Sequence, residues 1–264
     1  MKAKKRLGQN YLIDEVIRDK IIEAAEISAS DTILEVGPGL GMLTEKLAES
    51  AGRVIAVEVD EGLVDRLGRK FSKMSNLVII HADILKVDLQ NALGGETSYK
   101  VVANIPYYIT SPILSYFTQA DFKPSLMVIM MQQEVADDVT SSPGHLSFLS
   151  VSMQLFSRPS VVCKVPASSF NPQPNVNSTV VKFEMLKEPV VPIDNIKLFL
   201  EFLHSGFKAP RKQLHNSLAI GLKMEPGYVD DLLVKSGIDP QKRPGNLTLI
   251  EWFELYRNMG AGRC

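Results

Sequence analysis

Cysteine is scarce in this 264-residue chain, which holds only Cys163 and Cys264. One thiol in an apolar stretch and one at the last position match neither a disulfide framework nor a metal-ligand spacing, so no metal is expected. Long apolar runs are missing as well. The longest, Leu126 to Met131, falls far short of the ~20 residues that cross a bilayer. Lys4-Lys5-Arg6 leads into polar residues rather than a signal-peptide core, so a cytoplasmic protein without membrane contact is expected. Charge of one sign is not in excess: 29 Lys and Arg face 30 Asp and Glu, the net charge is −1 and the pI is near 6.4. That balance excludes a chain that coats nucleic acid through its overall field.

Local clusters remain. Lys2, Lys4, Lys5 and Arg6 form one, and Lys208, Arg211 and Lys212 form another inside the acid-free stretch 204–216. Alone, such clusters are more often solvated surface than binding sites. They gain weight beside a site that needs a nucleic acid.

A content of 45% hydrophobic and 22% charged residues is enough to bury a full core, and the chain divides into one large domain and one small one. Up to about Glu184, strand-like and helix-like segments alternate, the mark of a doubly wound α/β domain with a largely parallel sheet. Strands are expected at 32–36, 53–60, 76–83, 99–103 and 125–131. Further antiparallel strands are expected at 151–165 and 178–185. From Lys187 a stiff Glu-Pro-Val-Val-Pro connector leads into short helices punctuated by Pro226, Gly237, Pro240 and Pro244, giving domains at 1–186 and 187–264.

Three strand ends carry chemistry. The first expected strand runs into Glu35-Val36-Gly37-Pro38-Gly39-Leu40-Gly41, where glycines let a backbone approach a ligand. The preceding acid suits S-adenosylmethionine, which carries ammonium and sulfonium cations, better than a pyrophosphate. Glu58 lies near the end of the second strand, where a carboxylate accepts ribose hydroxyls, as it would in a nicotinamide site too. Asp83 ends the third, placed for an adenine amino group. The alternative for both acids is a helix cap or a surface charge.

The fourth strand is followed by Asn104-Ile105-Pro106-Tyr107. An amide, a proline and an aromatic ring there can hold the edge and the face of a flat amine such as adenine's. Phe170, among Pro166, Pro172 and Pro174, reads as an exposed aromatic on a rigid loop, suited to stacking. Core packing is the alternative for both rings. Tyr108, Thr110 and Ser111 read as caps of the next helix.

With Gly8-Gln9-Asn10-Tyr11-Leu12, Glu35 to Gly41, Asn104 to Tyr107, Phe170 to Ser178 and Gly206 to Leu218, the chain resembles the small-subunit rRNA adenine dimethyltransferases over nearly its whole length. The resemblance implies a Rossmann-like S-adenosylmethionine-dependent sheet in 1–186 and a helical RNA- or ribosome-binding domain in 187–264. It implies that Gln9, Asn10 and Leu12 close over the methionine end of the cofactor, and that Gly37, Gly39, Glu58, Asp83 and Asn104 line its site. Asn104 and the carbonyl of Pro106 would accept the amine's hydrogens while Tyr107 and Phe170 stack on the base. Lys208, Arg211 and Lys212 would touch RNA. The implied enzyme is a monomer acting in the cytoplasm on small-subunit rRNA within a partly assembled subunit, where it dimethylates two adjacent adenosines near the 3′ end. A large-subunit dimethyltransferase that confers macrolide resistance and a non-catalytic assembly factor are the alternatives. Several positions depart from the family pattern: Tyr11, Asp137, Asp138, Leu146, Ser147, Phe148 and Pro244.

Overall fold

The computed structural model describes Lys4 and residues 8–260. Lys2, Lys5, Arg6 and Cys264 lie outside the described residues. Two compact units result, one of residues 1–136 and 158–185, the other of 137–157 and 186–264. The chain passes between the units at 137, at 158 and again at 186. The structure adds that 137–157 groups with the C-terminal helices, not with the sheet.

In the first unit a short strand β1 (Tyr11–Leu12) precedes helix α1 (Glu15–Ala24). Then come β2 (Thr32–Val36), α2 (Met42–Ser50), β3 (Arg53–Glu58), α3 (Glu61–Lys70) and β4 (Leu77–His81). After a short α4 (Leu89–Leu93) follow β5 (Lys100–Asn104), α5 (Thr110–Gln119) and β6 (Leu126–Gln132), and α6 (Gln133–Val139) carries the chain out of this unit at 137. The sheet closes with β7 (Ser157–Val165) and β9 (Ser178–Met185), on either side of a two-residue β8 (Phe170–Asn171).

Strand order is β4-β3-β2-β5-β6-β9-β7. The five strands from β4 to β6 are parallel and β9 runs antiparallel to β6. Every residue of β2 is buried, as are the first six of β6, the pattern of strands covered on both faces. The chain runs outward from β2 through β3 to β4, then returns to the other side of β2 as β5. Ligands bind at this switch point, beyond the strands' carboxyl ends.

Val151 to Val165 is not one strand. Residues 151–156 belong to helix α7 (Phe148–Phe156), and the strand begins only at Ser157. The apolar run Val151-Ser152-Met153-Gln154-Leu155-Phe156 fits either period. What decides is the capping box, in which the Ser147 hydroxyl accepts from the Ser150 N–H and the Ser150 hydroxyl accepts from the Ser147 N–H. The Ser147 hydroxyl also donates to Asp138 at 2.7 Å. Two of the departures from the family pattern are thus each other's partners. Pro159 is tolerated in β7 because that strand is the sheet's edge.

The second unit adds α8 (Ile196–Gly206), α9 (Leu214–Leu222), α10 (Pro226–Lys235) and α11 (Leu249–Met259). Its core is aromatic: the fully buried Trp252 meets Phe202 edge-on at 5.9 Å and Phe207 at 5.3 Å. Lys208, Arg211 and Lys212 all lie exposed in the α8–α9 connection. No helix among the described residues is long and apolar enough to cross a membrane, and no group of His, Cys, Asp or Glu among them is arranged to hold a metal. Cys163 is a free, half-buried thiol in β7.

Candidate active site

Register builds the site. Val36 stands opposite Val57 on one side and Ala103 on the other, so the next residues, Gly37, Glu58 and Asn104, share one level at the sheet's carboxyl edge. The ladder extends one step further, with Gly37 N–H donating to the Val57 carbonyl at 3.0 Å. There the chain must turn, and Gly37, Gly39 and Gly41 all take left-handed φ angles of 68°, 57° and 82°. Gly41 is the N-cap of α2, and a Cβ on it would stand 2.6 Å from the Phe71 ring.

Glu58 pins this loop. Its Oε2 accepts from Gly39 N–H at 3.3 Å and its Oε1 from Asp60 N–H at 2.9 Å. Burial pushes the Glu58 carboxyl above the ordinary range, and those two N–H groups pull the other way. A carboxylate has about four acceptor sites, so two remain for hydroxyls. Asp83 sits two residues past the end of β4 rather than at it. Its Oδ1 accepts from Leu85 N–H at 3.1 Å and caps a short turn at Ile84–Lys86. The capping alternative therefore holds for one oxygen, while the residue still lines the cavity.

Gly8 to Leu12 lies along the same cavity. Gln9 does not offer a free amide: its Oε1 accepts from Lys4 N–H at 2.7 Å and from the Tyr11 hydroxyl at 2.8 Å, and its Nε2 donates to Asp60 at 3.1 Å. Lys4 Nζ meets the other oxygen of Asp60 at 2.7 Å. Burial by itself would raise the Asp60 carboxyl, but the hydrogen bonds from Lys4 and Gln9 outweigh it and hold it below the usual range. Asp60 was not legible as a site residue; from sequence it is only the last residue of the second expected strand, and the structure makes it the N-cap of α3. The Tyr11 ring lies over the glycine loop, 3.1 Å from where a Gly39 Cβ would stand. Leu12 is buried and pairs with Phe170 in a two-residue antiparallel ladder.

Asn104 Nδ2 donates to the Asn10 carbonyl at 3.3 Å. Its Oδ1 makes no hydrogen bond among the described residues and is left as an acceptor. The Pro106 carbonyl already accepts from Ile109 N–H at 3.2 Å, which leaves one lone pair. Tyr107 is half-buried and its hydroxyl pairs with that of Ser178 at 2.8 Å; burial raises its pKa. Phe170 is not the exposed loop aromatic expected from its proline-rich surroundings. It is 3% exposed, in β8, because its pairing with β1 and its contacts with the core cover it, yet it lines the cavity. The expected cap of α5 is not made either: Ile109 is the N-cap, with no side-chain bond, and Thr110 donates to the Tyr107 carbonyl instead.

One cavity of about 240 Å³ thus gathers Asn10, the glycine loop, Glu58, Asp83, Asn104, Tyr107 and Phe170. Its wall also includes Glu35, a fully buried acid whose pKa burial pushes up to about 8. The Thr44 hydroxyl and backbone N–H lie beside the carboxyl and pull its pKa the other way, while the Glu58 carboxylate adds to the rise. Such an acid binds a proton on folding between its ordinary pKa and about 8, so stability falls as pH rises through that window. At 1.36 kcal/mol per unit the full effect is about 5 kcal/mol. Glu35→Gln is expected to flatten the fall, measured by urea unfolding at pH 5 and pH 8.5; an equal fall in both proteins would remove Glu35 as its cause.

A doubly wound sheet with a glycine loop, acids and an Asn-Ile-Pro-Tyr corner on adjacent strand ends around one cavity defines a methyltransferase of the Rossmann-like class. Residues 1–259 match the family model for ribosomal RNA adenine dimethylase, and the chain belongs to that family. A ribosomal RNA small subunit methyltransferase A of Dehalococcoides mccartyi (strain BAV1) is 42% identical over all of this chain and 91% of its own length. One of Alkaliphilus oremlandii is 39% identical over 98% of this chain and 92% of its own length. Among solved structures, a dimethyladenosine transferase from Plasmodium falciparum aligns with a TM-score of 0.81 and 28% identity, covering 94% of this chain and 96% of its own. The 23S rRNA methyltransferase ErmE aligns with a TM-score of 0.74 and 26% identity, covering 94% and 99%.

Proposed function

We propose that this enzyme transfers methyl groups from S-adenosylmethionine to the exocyclic amines of two adjacent adenosines near the 3′ end of small-subunit rRNA, giving dimethyladenosines. It would act as a monomer in the cytoplasm, on a partly assembled subunit. The observation that carries the reading is the single cavity shared by the Glu58–Gly39 corner and the Asn104–Tyr107 corner. The residues suit the cofactor: the left-handed glycine turn brings backbone without a Cβ to the cavity, and the Glu58 carboxyl keeps acceptor sites for hydroxyls. Bound there, S-adenosylmethionine supplies an electrophilic methyl group. Gly37, Gly39, Glu58 and Asp83 hold its nucleoside, while Asn10 and Leu12 flank its methionine end. Gln9 acts at one remove, by tying the segment to Asp60.

An adenosine must leave its stack for its amine to reach such a cavity. Tyr107 and Phe170 receive the base. Asn104 Oδ1 and the spare lone pair of Pro106 accept the two amine hydrogens, which draws the nitrogen lone pair out of conjugation and turns it toward the methyl group. No strong base is required, because the methylated nitrogen is acidic enough to lose its proton to water. The new N–C bond replaces the donor's S–C bond, whose sulfur leaves as a neutral thioether, and repetition with a second donor molecule on the one remaining hydrogen would give the dimethylated base.

Small-subunit rRNA is favoured over the large-subunit target because the relatives named for the small subunit are 39–42% identical, against 26% for ErmE. Labelled S-adenosylmethionine offered with unmethylated small and large subunits tests this choice. Label in the small subunit is expected; label in the large subunit alone would move the target there. Lys208, Arg211 and Lys212 serve as contacts to RNA phosphates. The double change Arg211→Glu and Lys212→Glu is expected to weaken subunit binding and lower the slope of log affinity against log salt by about 1.5. An unchanged slope would remove both from the footprint.

A further inference from the structure

The segment from Phe170 to Ser178 lines the cavity at its first residue and bonds to the cavity-lining Tyr107 at its last, yet only Phe170 has a part in the function proposed so far. Ser178 lies at the other end, fully buried as the first residue of β9 and opposite Gln132 of β6. Its hydroxyl meets that of Tyr107 at 2.8 Å. The segment between is tied down as well: the Asn177 carbonyl accepts from Gln133 N–H at 3.0 Å, and the Asn177 side chain accepts from Ala167 N–H at 3.1 Å. Ser178 is therefore a fixed point. Tyr107 belongs to a three-residue turn, Tyr107–Ile109, and the bond to Ser178 is the hydrogen bond that its hydroxyl makes among the described residues.

We infer that Ser178 is a positioning residue, which through the Tyr107 hydroxyl sets the ring against which the target base stacks. This rests on the reading of Tyr107 as a stacking residue. One segment then places both aromatic walls, Phe170 by its own backbone pairing with Leu12 and Tyr107 through Ser178. With the slot fixed at both sides, the base ring takes the same place beside Asn104 in each round, including the round in which one methyl is present and one amine hydrogen remains. Losing the bond frees the ring to rotate without removing it, so the effect falls on turnover more than on binding of the cofactor.

The test is a double-mutant cycle of Ser178→Ala and Tyr107→Phe, each of which removes one of the two hydroxyls and nothing else. Either change is expected to lower kcat about five- to tenfold, the cost of one neutral hydrogen bond, with unchanged affinity for S-adenosylmethionine and more monomethylated product. The double variant should be no slower than the worse single one. Multiplying effects, or wild-type turnover in Ser178→Ala, would overturn the inference. A second readout needs no activity: in spectra of 13C-tyrosine-labelled protein, the Tyr107 signals, identified by their loss in Tyr107→Phe, should shift and broaden in Ser178→Ala. Unchanged signals would overturn the anchoring role. A wild-type enzyme that shows this ring response but methylates neither subunit would instead count against the proposed reaction.

Discussion

Asn104→Ala is expected to lower methyl transfer by about a hundredfold to a thousandfold, the usual loss when one preorganised polar contact to the reacting centre is removed. Cofactor affinity should fall about fivefold at most. The two effects separate because the side chain has two ends. Nδ2 holds the Asn10 carbonyl at 3.3 Å, a single neutral hydrogen bond worth about 1 kcal/mol, and its loss loosens the segment along the methionine side. Oδ1 bonds to nothing among the described residues and is the end that would meet the amine. Calorimetric titration with S-adenosylmethionine beside single-turnover methylation distinguishes them. A variant that binds and transfers like the wild type would take Asn104 out of the reaction.

Glu58→Ala is expected to have the opposite signature, with cofactor affinity lowered about a hundredfold or more and little transfer left at ordinary cofactor concentrations. Two hydroxyls would lose a charged acceptor, at about 1.5–3 kcal/mol each. Gly39 N–H and Asp60 N–H would also lose theirs, releasing the glycine turn. Glu58→Gln is more telling. Both carboxylate oxygens accept from backbone N–H groups, so an amide must turn its NH2 toward one of them. Glutamine is therefore expected to weaken binding about tenfold or more despite its near-identical shape. Equal affinity for wild type and Glu58→Gln would mean that Glu58 shapes the turn without touching the ligand.

The strand ends that make the site were legible because their strands are apolar runs closed by glycine, acid or Asn-Ile-Pro, a local signal that tertiary context does not override. Strands at 32–36 and 178–185 match the structure residue for residue. The stretch 151–156 was misread because Val-Ser-Met-Gln-Leu-Phe is apolar at both periods, and the cap of its helix is a serine pair rather than the more recognisable Ser and Glu. Phe170 looked exposed because prolines surround it. Its cover comes from β1, paired to it across more than 150 residues through two-residue strands, a contact that leaves no periodicity in either segment. The same holds for the ties from Lys4 and Gln9 to Asp60 and from Tyr107 to Ser178. Each joins residues far apart in the chain through one polar atom, and hydrophobic patterning does not record polar pairs. What the sequence made legible was a set of residues that line one cavity; the residues that hold them in place became visible only in the fold.

The most direct test of the central claim is mass spectrometry of nucleosides digested from small-subunit rRNA after reaction of unmethylated subunits with S-adenosylmethionine, using wild-type enzyme and Asn104→Ala in parallel. Dimethyladenosine in two neighbouring positions with the wild type, and none with the variant, is the predicted result. Dimethyladenosine formed equally by both proteins, or no methylated adenosine from a wild-type enzyme that binds the cofactor, would contradict it.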